Sequence, residues 1–488
     1  MPLVSLALLL PLLGAIIVVA RPTLPVRAIH GIGIGVAGLT FLVSLAIWAR
    51  GAGGGFSQVE EVGWIPSLGV TYRVGVDGIS LPLVLLTTLL FLVSLVFSVG
   101  LTDRPAAWVA LFLGLETACL GVFVALDMVL FYVFWEITLV AMYFIIAGWG
   151  HADRQRAALT FFLYTLLGSL PLLLAIVALY LGSDPRTFDL RAIVAAPPLS
   201  GVAAGFTLAA LLIAFAIKTP VFPFHTWLPA AHVEAPTAGS VVLAGVMLKL
   251  GTYGLVRFAL QMTPGPFHQV VLPVAILGVF SALYGAFVAL AQTDLKRMVA
   301  YTSVNHMGYV VVAVAAAAAT TSTATRSLAL DGAVLQMVSH GIVTGALFLL
   351  VGVVQRRTGT REMGAFGGLL RVTPLLGWLF ILAAFASLGL PALAHFPAEF
   401  QIFLGTFAVW PVLAAIVMLG IVITAGLFLR AIQSTFLGAV DERWRGLRDL
   451  SPSERWAIVP LLILTVAIGV APRLLLDLIH RATAMILP

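Results

Sequence analysis

Five ionisable side chains stand inside long apolar runs of this 488-residue chain. Glu116 is central in ALFLGLETACLGVF, Glu136 in FYVFWEITLVAMYF and Lys249 in VVLAGVMLKLGTYGL. Lys218 precedes a proline pair in AFAIKTPVFPFHTWLP, and Glu399 follows another in LPALAHFPAEFQIF. A charge near the centre of a bilayer costs about 2.5–3.5 kcal/mol on insertion scales, so charges retained there need a reason. Lys296 is the only other lysine, and all remaining members of the 26 Lys and Arg residues are arginine. Lysine, unlike arginine, can release its proton when buried. A carboxylate contact keeps that proton in place, and separation frees it. A movable contact between Glu136 and Lys218 would therefore switch a proton on and off. The plainer alternative is a static ion pair that fixes helix packing.

Histidine exchanges protons near neutrality. His306 (YTSVNHMGYV) and His340 (LQMVSHGIVTGALF) fall between the lysines and Glu399 in chain order. Each alone reads as a packing residue. Together, with Ser303, Asn305, Ser339 and Thr344 close by in sequence, they can support a water-linked relay. His225 and His232 flank the first proline pair, and His395 lies within the second. Proton transfer is thus expected of Glu136, Lys218, Lys249 and Glu399, relay of His306 and His340, with Glu116 as a further candidate.

The elements that hold these groups follow from composition. Hydrophobic residues are 61% of the chain and charged residues 9%, against about 25% charged in soluble domains. A spanning helix needs about 20 mostly apolar residues, and most of the chain parses into such segments. The expectation is an all-α, polytopic membrane protein of about 14 transmembrane helices. The spans that matter most are 107–126, 127–149, 202–224, 236–258, 298–318, 331–354 and 373–404. The apolar start of the chain lacks the basic region that opens a secretory signal and is read as a retained first helix. The Gly-rich linker 50–78 is expected to form a hairpin or irregular cover at the membrane surface, and 184–200 a short interfacial helix.

Proline removes a backbone donor and breaks a helix. Pro220 and Pro223 interrupt the seventh span, Pro391 and Pro397 the twelfth. Broken helices persist at membrane depth only inside protein or along a wet cavity. Their odd offset of five spans gives them opposite orientation, the pattern of inverted repeats around an ion path. The expected units are N-terminal helices 1–3 at 1–106, a first inverted five-helix repeat at 107–258, a second at 259–434, and a C-terminal helix at 435–488. The alternative is two unrelated proline kinks. Basic residues gather in the odd-numbered loops, which places those loops in the cytoplasm and both termini outside.

Several classes are excluded. The single cysteine, Cys119, cannot make an internal disulfide, and no Cys/His spacing fits a metal or iron–sulfur site, so the chain is expected to hold no metal, cofactor or redox centre of its own. The scattered positive charge gives no nucleic-acid surface. Gly33–Gly38 matches a dinucleotide motif but lies in an apolar span without a preceding strand; it reads as close helix packing.

The runs FYVFWEITLVAMYFIIAGWG, FFLYTLLGS, KTPVFPFHTWLPAAHVEAPTAGSVVLAGVMLKLGTYGL and YTSVNHMGYV together resemble the antiporter-like subunits of respiratory complex I. The likeness covers most of the chain and is densest over about 115–405. It implies fourteen helices with two inverted five-helix repeats and a central polar axis. On that axis Glu136 matches the fifth-helix glutamate, Lys218 the lysine of the broken seventh, Lys249 that of the eighth and Glu399 the terminal group of the broken twelfth; His306 and His340 match polar positions on the tenth and eleventh. A terminal Glu is similar to the M branch, where the L and N branches usually carry Lys, and the long lateral helix of the L branch is lacking.

The resemblance implies a proton-translocating membrane-arm subunit of NADH:quinone oxidoreductase in a cell (inner) membrane. NADH, FMN, iron–sulfur clusters and quinone would lie on partner subunits, with L- and N-type chains, lipid, protons and water as neighbours. Two departures stand out: Ala230 replaces an acid in LPAAHVEAP, and ALAHF at 392–396 replaces a glycine-rich hinge. A sodium/proton antiporter subunit, the membrane arm of a hydrogenase or ferredoxin-dependent complex, and a purely structural spacer are the rival readings.

Overall fold

The computed structural model describes residues 2–486. Helices α1 (Leu3–Ala20) and α2 (Val26–Arg50) lead into a hairpin of β1 (Ser57–Ile65) and β2 (Val70–Val76). Then come α3 (Ser80–Phe97), α4 (Pro105–Val124), α5 (Met128–Trp149), α6 (Arg154–Gly182), the short α7 (Leu190–Ala195), α8 (Gly201–Lys218) and α9 (Trp227–Glu234). Next are α10 (Thr237–Leu260), α11 (Val271–Ala291), α12 (Leu295–Ala319), α13 (Thr323–Thr358), α14 (Pro374–Ser387), α15 (His395–Val409), α16 (Pro411–Phe436), α17 (Pro452–Val470) and α18 (Arg473–Thr483).

Among the described residues, 13 helices are long and apolar enough to cross a membrane. The broken pair α14–α15 supplies one more crossing, so the expected all-α, multi-pass class holds. Without water in the bilayer core, helices that satisfy their own backbone are the economical way across. The expected boundaries 106, 258 and 434 fall inside α4, α10 and α16, one or two residues from a helix end.

The two central helices carry the interior groups. The most apolar windows of α10 and α13 are wholly buried by the rest of the bundle. By contrast, α1, α2 and α16 turn apolar side chains such as Leu13, Leu42 and Val422 outward, where lipid would meet them. Two π-helical segments, Leu243–Met247 and Leu255–Leu260, flank Lys249 on α10. Such wide turns are rare and concentrate at functional positions.

Both breaks are real, and their prolines differ in role. α8 stops at Lys218, and the chain turns through Pro220 and Pro223 before α9 starts at Trp227. The Val221 N–H reaches back to the Ala216 carbonyl at 2.9 Å and Trp227 Nε1 donates to the Ile217 carbonyl at 3.0 Å, so carbonyls freed at the helix end are taken up inside the protein. At the second break, α14 ends at Ser387 and Pro391 lies in the gap. Pro397 does not break anything. It occupies the first turn of α15, where a helix has no N–H partner to lose.

The linker 50–78 forms an antiparallel hairpin in register Glu60↔Val74 and Gly63↔Thr71. Asp127 fastens it by accepting from the Thr71 N–H at 3.0 Å while capping α5. The interfacial helix expected within 184–200 is α7. Arg257 is buried in α10 and paired with Asp77. The amphipathic α18 was not anticipated; its His480 Nδ1 lies 2.7 Å from Asp331 Oδ2 on α13.

Candidate functional site

Lys218 is the last residue of α8, where unpaired carbonyls and the negative end of the helix dipole favour a cation. It is buried, with Nζ 3.4 Å from Thr138 Oγ1 and 5.1 Å from the centre of the Trp135 ring. Gly251 permits this packing. A side-chain carbon there would meet Thr219 Oγ1 at 2.4 Å and the Thr219 N at 2.7 Å, so α10 rests directly on the break.

The anticipated Glu136–Lys218 contact is not formed in this state. Glu136 is half-buried and makes no ion pair among the described residues. It lines an apolar cavity of about 840 Å³ with Ala15, Leu111, Val140 and Phe144. The helix explains the separation. Trp135 and Thr138 are three apart and share the face toward Lys218, while Glu136 is turned by about 100° from Trp135. Glu116 is fully buried on α4 and neither carboxylate oxygen has a protein hydrogen-bond partner.

Beyond α10 the polar groups touch. Lys249 Nζ donates to the Ala244 carbonyl at 2.5 Å and lies 2.7 Å from His340 Nδ1. With the lysine as donor, Nδ1 accepts and the ring carries its own proton on Nε2, the arrangement that lets an imidazole take a proton on one side and give it up on the other. The His340 and His306 ring centres are 5.4 Å apart. His306 Nε2 then lies 3.7 Å from Glu399 Oε1. Glu399 is 4% exposed, so the line ends in a buried carboxylate.

Two further groups complete this end: Gln336, which sequence reading passed over, and His395, already noted within the second break. Gln336 Nε2 donates to Glu399 Oε1 at 3.3 Å. It sits one turn before His340 on the same face of α13, which is the signal that could have found it. His395 is wholly buried, 4.7 Å between ring centres from His306, with Nδ1 4.0 Å from Glu399 Oε1. Gly389, at φ +72°, makes room for the carboxylate: a side-chain carbon there would meet Glu399 Oε2 at 2.5 Å.

Other expectations divide. Ser339 joins the cluster through Gln336 Oε1 at 3.4 Å. Asn305 does not; it bonds the Ala282 carbonyl at 2.8 Å and the Tyr309 hydroxyl at 3.1 Å, holding α12 against α11. Ser303 Oγ, Thr344 Oγ1, His340 Nε2, His306 Nδ1 and both His395 nitrogens are buried without a protein hydrogen bond of ordinary geometry. Buried polar atoms ordinarily have one, and water is the usual substitute.

The first break also has an open side. A cavity of about 420 Å³ is lined by Asp153, Arg156, His225, Ala230, Glu234 and Arg297, among others. Ala230, the missing acid, therefore faces a vestibule that keeps two carboxylates. Lys296, in the first turn of α12, is fully buried, and its Nζ caps the end of α9 through the Ala235 carbonyl at 2.6 Å. His232 is stacked on Phe348 with ring centres 4.7 Å apart, a packing role. Beside the vestibule's loops, burial and the charges of Lys296 and Arg361 push His151 down to about 4.

Comparison with known proteins gives one answer at two levels. Residues 125–424 match the family model described as NADH:quinone oxidoreductase/Mrp antiporter, TM. The F(420)H(2) dehydrogenase subunit M of Methanosarcina mazei is 38% identical, over 100% of this chain and 98% of its own length. The NADH-quinone oxidoreductase subunit M of Rhodobacter capsulatus is 39% identical over 99% and 96%. A chain of respiratory complex I from Thermus thermophilus superposes with a TM-score of 0.90 at 33% identity, covering 99% of this chain and 100% of that one.

Proposed function

The chain belongs to the NADH:quinone oxidoreductase/Mrp antiporter family of membrane subunits, and on that premise we propose that it is the proton-translocating M-type subunit in the membrane arm of an NADH:quinone oxidoreductase. The observation that carries the proposal is the buried run Lys249, His340, His306, Glu399, in which a lysine touches an imidazole at 2.7 Å and a second imidazole comes within 3.7 Å of the carboxylate. Burial there would be costly for groups with only a packing role.

A proton enters from the cytoplasmic side through the vestibule of Asp153, Glu234 and His225 and is held on Lys218. It is handed on to Lys249 of α10, the helix that packs against this break at Gly251. His340 accepts it on Nδ1 and releases the proton of Nε2 toward His306, and Glu399 discharges it on the far side. A small rotation closes the 3.7 Å step to hydrogen-bond length. Electron transfer takes place on partner subunits that carry NADH, FMN, iron–sulfur clusters and quinone. Those partners, the flanking L- and N-type chains and the placement of both termini outside the cytoplasm are part of the same reading. The carboxylate at 399 favours the M branch over the L and N branches, for which the resemblance implies lysine.

The test is Lys218→Ala in the assembled complex, with protons moved per electron measured in proteoliposomes. Coupled pumping should drop at least tenfold, about 1.4 kcal/mol of added barrier, while the complex still assembles. Undiminished pumping would remove Lys218 from the path.

A further inference from the structure

We propose that His306, His395 and Glu399 form a binding site for a divalent transition-metal ion of the Zn²⁺ class, held across the second helix break. One donor atom from each residue lies within 4.8 Å of the other two, and all three side chains are buried. His306 Nε2 is 3.7 Å and His395 Nδ1 4.0 Å from the same carboxylate oxygen, Glu399 Oε1. The Ser387 backbone lies beside His395, but neither ring nitrogen makes a protein hydrogen bond of ordinary geometry. Two neutral imidazoles and one carboxylate are a donor set that suits zinc and leaves a fourth position open.

The distances are close to what coordination needs. Zn–N and Zn–O bonds of about 2.0–2.2 Å set donors roughly 3.3 Å apart in a tetrahedron, so ring rotations at His306 and His395 close the set without moving a helix. Gln336, 3.3 Å from Glu399 Oε1, is placed to orient the carboxylate from outside the set. The nearest lysine, Lys249, is spent on His340 and on the Ala244 carbonyl rather than on the three donors. Sequence spacing hides the site, because one donor comes from α12 and two from α15. His395 and Glu399 are four apart and share a helix face.

A bound ion would fasten α12 to α15 and occupy lone pairs that protons would otherwise use. The ion should therefore act as a plug. Metal binding does not depend on the proton path, so the two ideas can fail separately.

The experiment uses the assembled complex, freed of adventitious metal with a chelator and incubated with Zn²⁺ alone during turnover. Bound zinc after dialysis is compared with that of His395→Asn, which keeps the side chain short and polar, and of His268→Asn, which removes an exposed histidine as a control. One ion per chain fewer in His395→Asn than in the wild type or the control is expected. At least tenfold weaker inhibition by zinc, each variant scaled to its own metal-free rate, should accompany it. Co²⁺ in place of Zn²⁺ should give a tetrahedral visible band that His395→Asn loses. Equal zinc content and equal Co²⁺ spectra in wild type and His395→Asn would overturn the site. A full ion per chain in a complex that still pumps would keep the site and remove the plug.

Discussion

The two helix breaks place opposite charges in opposite settings. At the first, a cation ends the helix that precedes the gap: Lys218 is the final residue of α8. At the second, an anion follows the gap, with Glu399 in the second turn of α15. Each charge lies toward the helix end whose dipole favours its sign, although the effect fades beyond the first turn. Their surroundings differ more. Near the first break a vestibule of about 420 Å³ holds Asp153, Glu234, Arg156 and Arg297. Around Glu399 there are two imidazoles and an amide, all buried. The first break is built as an approach and the second as a closed relay, so equivalent substitutions at the two should not have equivalent effects.

The largest effect is expected where the two halves meet. Lys249→Leu removes the group that touches His340 and should abolish coupled pumping in proteoliposomes, a loss of tenfold or more. Retained pumping would mean that the breaks work without a link through α10. Next comes Glu399 by charge type. Glu399→Lys still titrates and should keep more activity than Glu399→Leu; equal rates in the two would take the carboxylate off the path.

A several-fold loss is expected from Gly389→Ala. It strains a backbone at φ +72° and drives a methyl group against Glu399 Oε2. Because the displaced group is a flexible side-chain end, the complex should assemble. An unchanged rate would show that Glu399 does its work from another rotamer.

Smaller still is Glu136→Gln. Since Glu136 faces a lipid-side cavity rather than Lys218, its loss should lower pumping less than Lys218→Ala does. An equal loss would indicate that the pair forms at another stage of the cycle.

The least effect on turnover should come from Ala392→Gly. Ala392 holds φ +70° at the position where the hinge lacks its usual glycine, and it packs on Gly469. A left-handed residue with a side chain costs roughly 1–2 kcal/mol, partly offset by the 0.5–1 kcal/mol entropy that glycine adds on folding. Thermal unfolding of Ala392→Gly should begin slightly later than in the parent, with turnover little changed; earlier unfolding would contradict the strain.

Much of this plan was legible because an ionisable residue in an apolar run is conspicuous one residue at a time. Lys218, Lys249, Glu399, His306 and His340 needed no partner to be noticed, and the breaks were announced by Pro220, Pro223 and Pro391. What failed was anything set by rotation about a helix or by distance in the chain. Glu136 sits in the right turn of α5 but faces away from its expected partner. Asn305 was expected in the relay and Gln336 was missed for the same reason: both are polar and near a histidine in sequence, and only the packing of α12 and α13 decides which reaches Glu399. The amphipathic α18 is short and mixed in composition, so it gave no span signal although Leu475, Ile479 and Ala482 recur on one face.

A relay that ends on a buried carboxylate depends most directly on the ionisation of Glu399. Glu399→Gln keeps the shape, the Gln336 contact and the burial, and removes only the proton-binding group. Protons moved per electron in proteoliposomes of the assembled complex should fall at least tenfold. Pumping at the parental ratio would contradict proton passage through this chain's buried line.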